Sequence, residues 1–91
     1  MKAIKFIVSG RVQQVGYRDF VAHAAQALGV RGWVRNRRDN SVEVLAAGTE
    51  EQLEQFELEL RRGPSTARVD SVTAEAAIPP AEPGFTTRHS V

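Results

Sequence analysis

The chain contains no cysteine, which excludes disulfide staples, thiolate metal centres and cysteine nucleophiles. Its only histidines, His23 and His89, stand far apart and lack ligand spacing, and no His/Asp/Glu set reads as a metal site. No apolar run approaches the ~18 residues of a membrane span. Lys2, Lys5 and the short apolar stretch Phe6–Val8 do not make a secretory signal. Ser9, Ser41 and Ser65 have no identifiable base partner, which argues against serine nucleophilic catalysis. Aromatic residues are few, with one tyrosine, one tryptophan and four phenylalanines, and most are claimed by the core pattern. No RNP-like motif is present, and sheets that bind RNA display stacking aromatics. No linker, low-complexity tract or sequence repeat interrupts the 91 residues. The expectation is one domain over residues 1–91, soluble and cytoplasmic, with no membrane or nucleic-acid partner, and a monomer as the simplest state.

Net charge is only +1, but it is unevenly distributed. Residues 1–45 carry eight basic and three acidic side chains, whereas residues 46–91 carry four basic and eight acidic ones. Two readings are open: ordinary solvation of faces, or steering of a small anion toward the first half.

Hydrophobic periodicity gives the order of elements. Ala3–Gly10 alternates, with Ile4, Phe6 and Val8 on one face, and reads as a strand. Tyr17, Phe20, Val21, Ala24, Ala25 and Leu28 share one helical face, and Gly29 follows as the C′ residue. Val30–Arg35 and Val42–Ala47 read as a hairpin around the polar turn Arg37–Ser41. Thr49 and Gln52 fit a capping box for a second helix, with Leu53, Phe56 and Leu60 as its buried stripe and Gly63-Pro64 as its stop. The acids Glu50, Glu51, Glu54, Glu57 and Glu59 read as a solvated helix face. Arg68–Ala77 reads as a fourth strand with no cleanly apolar face, and Phe85–Ser90 as a short edge strand. The order βαββαβ predicts an α+β, ferredoxin-like sandwich: an antiparallel sheet, two helices on one face, and a short C-terminal strand.

The stretch GRVQQVGYRDF, Gly10–Phe20, joins the first strand to the first helix. It lacks the GK[ST] ending of a nucleotide P-loop. A glycine-bearing turn that opens a helix nevertheless aims several N–H groups at one point, where the helix dipole adds about half a positive charge. With Arg18 in the first turn, it can cradle a small dianion such as a phosphoryl group. From spacing alone, the favoured reading of Arg18 is a solvent-exposed helix arginine paired with Asp19 or another carboxylate. Asn36, at the end of the second strand, can orient a water with its amide oxygen and touch a phosphoryl oxygen with its NH₂. It is also readable as a turn residue that satisfies its own backbone. Trp33 reads as core or sheet-surface packing.

Taken together, GRVQQVGYR (Gly10–Arg18), GWVRNRRDNSVEV (Gly32–Val44) and GPSTARVDSV (Gly63–Val72) resemble the acylphosphatase family in motif, order and spacing over most of the chain. The resemblance implies hydrolysis of the carboxyl–phosphate bond of small-molecule acyl phosphates, with no metal or organic cofactor. It implies Arg18 as the phosphate-binding arginine, Asn36 as the residue that positions the attacking water, and the backbone N–H groups of Gln13, Gln14, Val15, Gly16, Tyr17 and Arg18 as the anion cradle. The other reading is a non-catalytic module for small anions or RNA phosphate on the same fold. Two positions depart from the family pattern: Gln14 and Asn40 both stand where glycine is usual. If position 14 requires positive φ, glutamine costs on the order of 1 kcal/mol there, whereas asparagine tolerates that region.

Overall fold

The structure is a computed structural model that describes residues Met1–Val91. Its elements run β1 (Lys2–Arg11), α1 (Tyr17–Leu28), β2 (Arg31–Asn36), β3 (Val42–Gly48), α2 (Glu50–Arg62), β4 (Arg68–Ala76) and β5 (Phe85–Thr87). They form one sheet in the order β4-β1-β3-β2-β5. The four strands of the βαββαβ frame pair antiparallel, as the pattern requires. The fifth strand makes the sheet mixed, because β5 lies parallel to β2. The segment after β4 carries the chain from one edge of the sheet to the other, so the last strand arrives in the direction of β2.

One face of the sheet is apolar and meets the helices. Phe6 and Val8 of β1, Val34 of β2 and Val42, Val44 and Ala46 of β3 pack in one cluster with Val21 and Ala25 of α1 and Leu53, Phe56 and Leu60 of α2. These are the residues that the two-residue and helical periodicities place on inner faces. The opposite face is crossed by charge. Glu43 accepts from Arg35 Nε at 2.7 Å and lies 3.8 Å from Lys5, which reaches Glu75 at 2.9 Å. Trp33 lies on that face between the guanidinium groups of Arg35 and Arg88, 4.6 and 5.0 Å from its ring centre.

Strand ends shift by a residue or two from the periodic reading, for local reasons. Val30 falls outside β2 because its N–H donates to Ala25 O at 2.9 Å and closes the end of α1. Asn36 is inside β2 because it pairs with Val42. Only Val72 of β4 is buried, as suits an edge strand. Beyond Thr87 the chain still follows β2, through Arg88 N–H to Val34 O and Val91 N–H to Asn36 O, although it is no longer regular strand.

Candidate active site

The sheet register sets the site. Val8 pairs with Val42, and Val42 with Asn36, so the ends of β1 and β2 lie in one row with the start of β3 between them. At the usual strand spacing, Asn36 is about 10 Å across the sheet from Val8. Just past Val8 the ladder slips between Ser9 and Gly10. Gly10 has φ +131°, and a Cβ there would lie 2.2 Å from Arg68 O, so only glycine allows this close approach. The bulge turns the chain out of the sheet into the loop before α1.

That loop presents its donors outward. No N–H from Gln13 to Gly16 donates to any backbone or side-chain acceptor in the chain. Gln14 has φ +62° and Gly16 φ +79°, left-handed turns that curl successive N–H groups into a concave, anion-attracting nest. Gly16 is also the N-cap of α1 and supplies no side-chain cap, so the helix start stays open. Its positive φ, rather than any close neighbour, is what favours glycine there. The departure at Gln14 therefore carries the strain foreseen for it, whereas Asn40, at φ +72°, occupies a conformation that asparagine tolerates.

Val12, Gln14, Gly16, Tyr17, Arg18 and Asp19 line a depression of 170 Å³. A second, of 260 Å³, adjoins it along Val12 and Gln14 and reaches Gly10, Arg11, Gln13 and Asn40. Arg18 is half-buried and makes no ion pair, with Asp19 or any other carboxylate. Arg11 and Arg38 are likewise free of ion pairs, whereas Lys2, Lys5, Arg35 and Arg37 are paired. Arg31, at the other end of β2, also lacks an ion pair and donates instead to Pro80 O at 3.0 Å. Nowhere do three or more His, Asp or Glu side chains gather to hold a metal.

Asn36 shares the inner face of β2 with Val34, its amide oxygen is buried, and that oxygen accepts no hydrogen bond. A buried acceptor costs about 1–3 kcal/mol unless a partner meets it. The terminal amide torsion is soft, so a half-turn exchanges the oxygen and the NH₂. The turn beyond Asn36 is fixed by Asp39, whose carboxylate accepts from both the hydroxyl and the N–H of Ser41. Those two hydrogen bonds hold the Asp39 carboxyl below its ordinary value.

Three tethers at the loop have no signal in the periodicity. The Gln13 side chain donates to Arg37 O and Ser41 O, both at 2.9 Å. The Thr66 hydroxyl donates to Val15 O at 2.6 Å. The buried Tyr17 hydroxyl donates to Leu60 O at 2.8 Å, and burial pushes this phenol's pKa far up. Tyr17 is legible as an apolar helix position, but its partner lies 43 residues away. The partners of Gln13 and Thr66 are 24 to 51 residues distant, beyond any local pattern.

Comparison with known proteins completes the description. The acylphosphatase family model matches residues 4–87. An acylphosphatase of Acidiphilium cryptum is 47% identical over 88 residues, covering 97% of each chain. One of Rhodopseudomonas palustris is 55% identical over 73 residues, 80% of this chain and 74% of its own. The crystal structure of acylphosphatase from Bacillus subtilis superimposes with a TM-score of 0.91 at 34% identity, covering 97% of this chain and 99% of that one.

Proposed function

The chain belongs to the acylphosphatase family and is an enzyme that hydrolyses acyl phosphates; from that premise we propose how its own residues do so. The phosphoryl group of the substrate sits in the depression at the start of α1. The N–H groups from Gln13 to Arg18 and the Arg18 guanidinium hold its oxygens, and the Asn36 amide places the attacking water. The observation that carries this reading is the coincidence, at one helix start, of four successive unused N–H groups and an unpaired, half-buried arginine.

The chemistry asks little more. Water attacks phosphorus in line with the acyl oxygen, the P–O(acyl) bond breaks, and the carboxylate leaves with the electron pair. A carboxylate is a good leaving group, so no strong general acid is required. What remains is to hold the phosphoryl oxygens, disperse their charge and aim the water. Asparagine cannot take the water's proton at neutral pH, so the phosphoryl oxygens receive it. Asn36 contributes its acceptor oxygen after the half-turn described above. On this reading the acting unit is a monomer, one domain over residues 1–91. The non-catalytic anion-binding reading gives way to membership of an enzyme family. An RNA reading gains nothing from the exposed sheet face, where Trp33 is already stacked between two arginines.

The test is turnover of benzoyl phosphate in excess EDTA by the wild type, Arg18→Ala and Asn36→Ala. Both folded variants are expected to lose about 10²–10³-fold in kcat/KM. Retention of wild-type turnover by either would remove that residue from the mechanism.

A further inference from the structure

The cradle and Asn36 belong to different parts of the chain, and the row of strand ends alone does not join them. The cradle loop leaves β1, whereas Asn36 ends β2, with β3 between. The side chain that crosses from the loop to the hairpin is Gln13. Both hydrogens of its Nε2 are used, one on Arg37 O and one on Ser41 O, each at 2.9 Å. Two acceptors fix which end of the amide is the nitrogen. The same two carbonyls close the hairpin turn itself, since Arg37 N–H donates to Ser41 O and Asn40 N–H to Arg37 O. Arg37 directly follows Asn36, and Ser41 directly precedes Val42, the strand partner of Asn36. The amide of Gln13 therefore grips both sides of the turn that carries Asn36.

We infer that Gln13 is a positioning residue for hydrolysis: its side-chain amide fixes the distance and angle between the anion cradle and Asn36, so that the water held by Asn36 lies in line with the phosphoryl group. This rests on the roles proposed above for the cradle and for Asn36. The cradle itself has other anchors, Thr66 on Val15 and Tyr17 on Leu60, which leave Gln13 the task of joining it to the hairpin. A displacement of about 1 Å between reacting groups costs on the order of 10²-fold in rate. The effect therefore falls on kcat and leaves anion affinity largely in place.

The experiment is a double-mutant cycle on kcat for benzoyl phosphate. It uses the wild type, Gln13→Met, Asn36→Ala and the double variant, with inorganic phosphate inhibition and thermal unfolding measured on each. Methionine keeps the stem of the side chain and removes both donors; Gln13→Ala is the second variant if methionine disturbs folding. Gln13→Met is expected to lower kcat by about 10–100-fold, change the phosphate inhibition constant by less than about threefold, and have almost no further effect in the Asn36→Ala background. An equal loss of kcat in both backgrounds overturns the inference while leaving Asn36 in its role. An Asn36→Ala enzyme with undiminished kcat overturns the role of Asn36 first, and the inference with it.

Discussion

The two helices of this protein begin at equivalent points of its two β-α-β halves, and they begin in opposite ways. α2 follows β3 through the single residue Thr49, whose side chain accepts from Gln52 N–H while Gln52 Oε1 accepts from Thr49 N–H. Glu50 and Glu51 complement the positive end of its dipole. α1 follows β1 through a loop with two residues at positive φ, has glycine at its N-cap and no side-chain cap, and places an arginine second in the helix. One helix start is capped by its own side chains. The other keeps its donors for something that is not part of the chain. A hollow of 680 Å³ lies beside the α2 start, far roomier than the 170 Å³ at α1, yet Thr49 and Gln52 on its wall already pair with each other. Size is thus a poor guide to the site in this fold, and a run of unused backbone donors beside an unpaired arginine is a better one.

The comparison can be broken by closing the open end. Gly16→Asp would put a carboxylate against the free N–H groups in a backbone region that aspartate tolerates, and so make the α1 start resemble that of α2. We expect kcat/KM for benzoyl phosphate to fall about 100-fold with the fold intact; activity within about threefold of wild type would mean that these donors do not hold substrate. The converse change opens the closed end. Thr49→Ala should cost about 1 kcal/mol, a drop in Tm of roughly 4–8 °C, and leave kcat/KM unaltered. A matching loss of activity would show that the two helix starts are not independent. The smallest effect sharpens the comparison within the cradle. Gln14→Gly should relieve about 1 kcal/mol of left-handed strain, part of it offset by greater freedom of the unfolded chain, with activity retained. A large fall in activity would give the glutamine side chain a task of its own.

The sequence made legible whatever depends on near neighbours. Tyr17–Leu28 was bounded correctly because its apolar face and Gly29 agree, and Thr49 with Gln52 spelled out a cap within four residues. Val30 was drawn into a strand by its β-branched side chain, since nothing local reveals that Ala25 takes its N–H. The parallel placement of β5 was hidden for a similar reason: it depends on the path of a proline-rich segment around the sheet. Within the site, Arg18 and Asn36 were singled out by residue type and motif. The burial of the Asn36 oxygen and the bridges from Gln13, Thr66 and Tyr17 were not legible, because each is a meeting between positions that only the folded sheet brings together.

The free amides between Gln13 and Gly16 have a further consequence for how the protein can be watched. Amide hydrogens locked in the β1 and β3 ladders exchange with solvent only when the fold opens, whereas these four have nothing to release. Their exchange reports occupancy rather than folding. The enzyme thus carries, in its own backbone, an isotope-readable gauge of how much of its population is holding an anion.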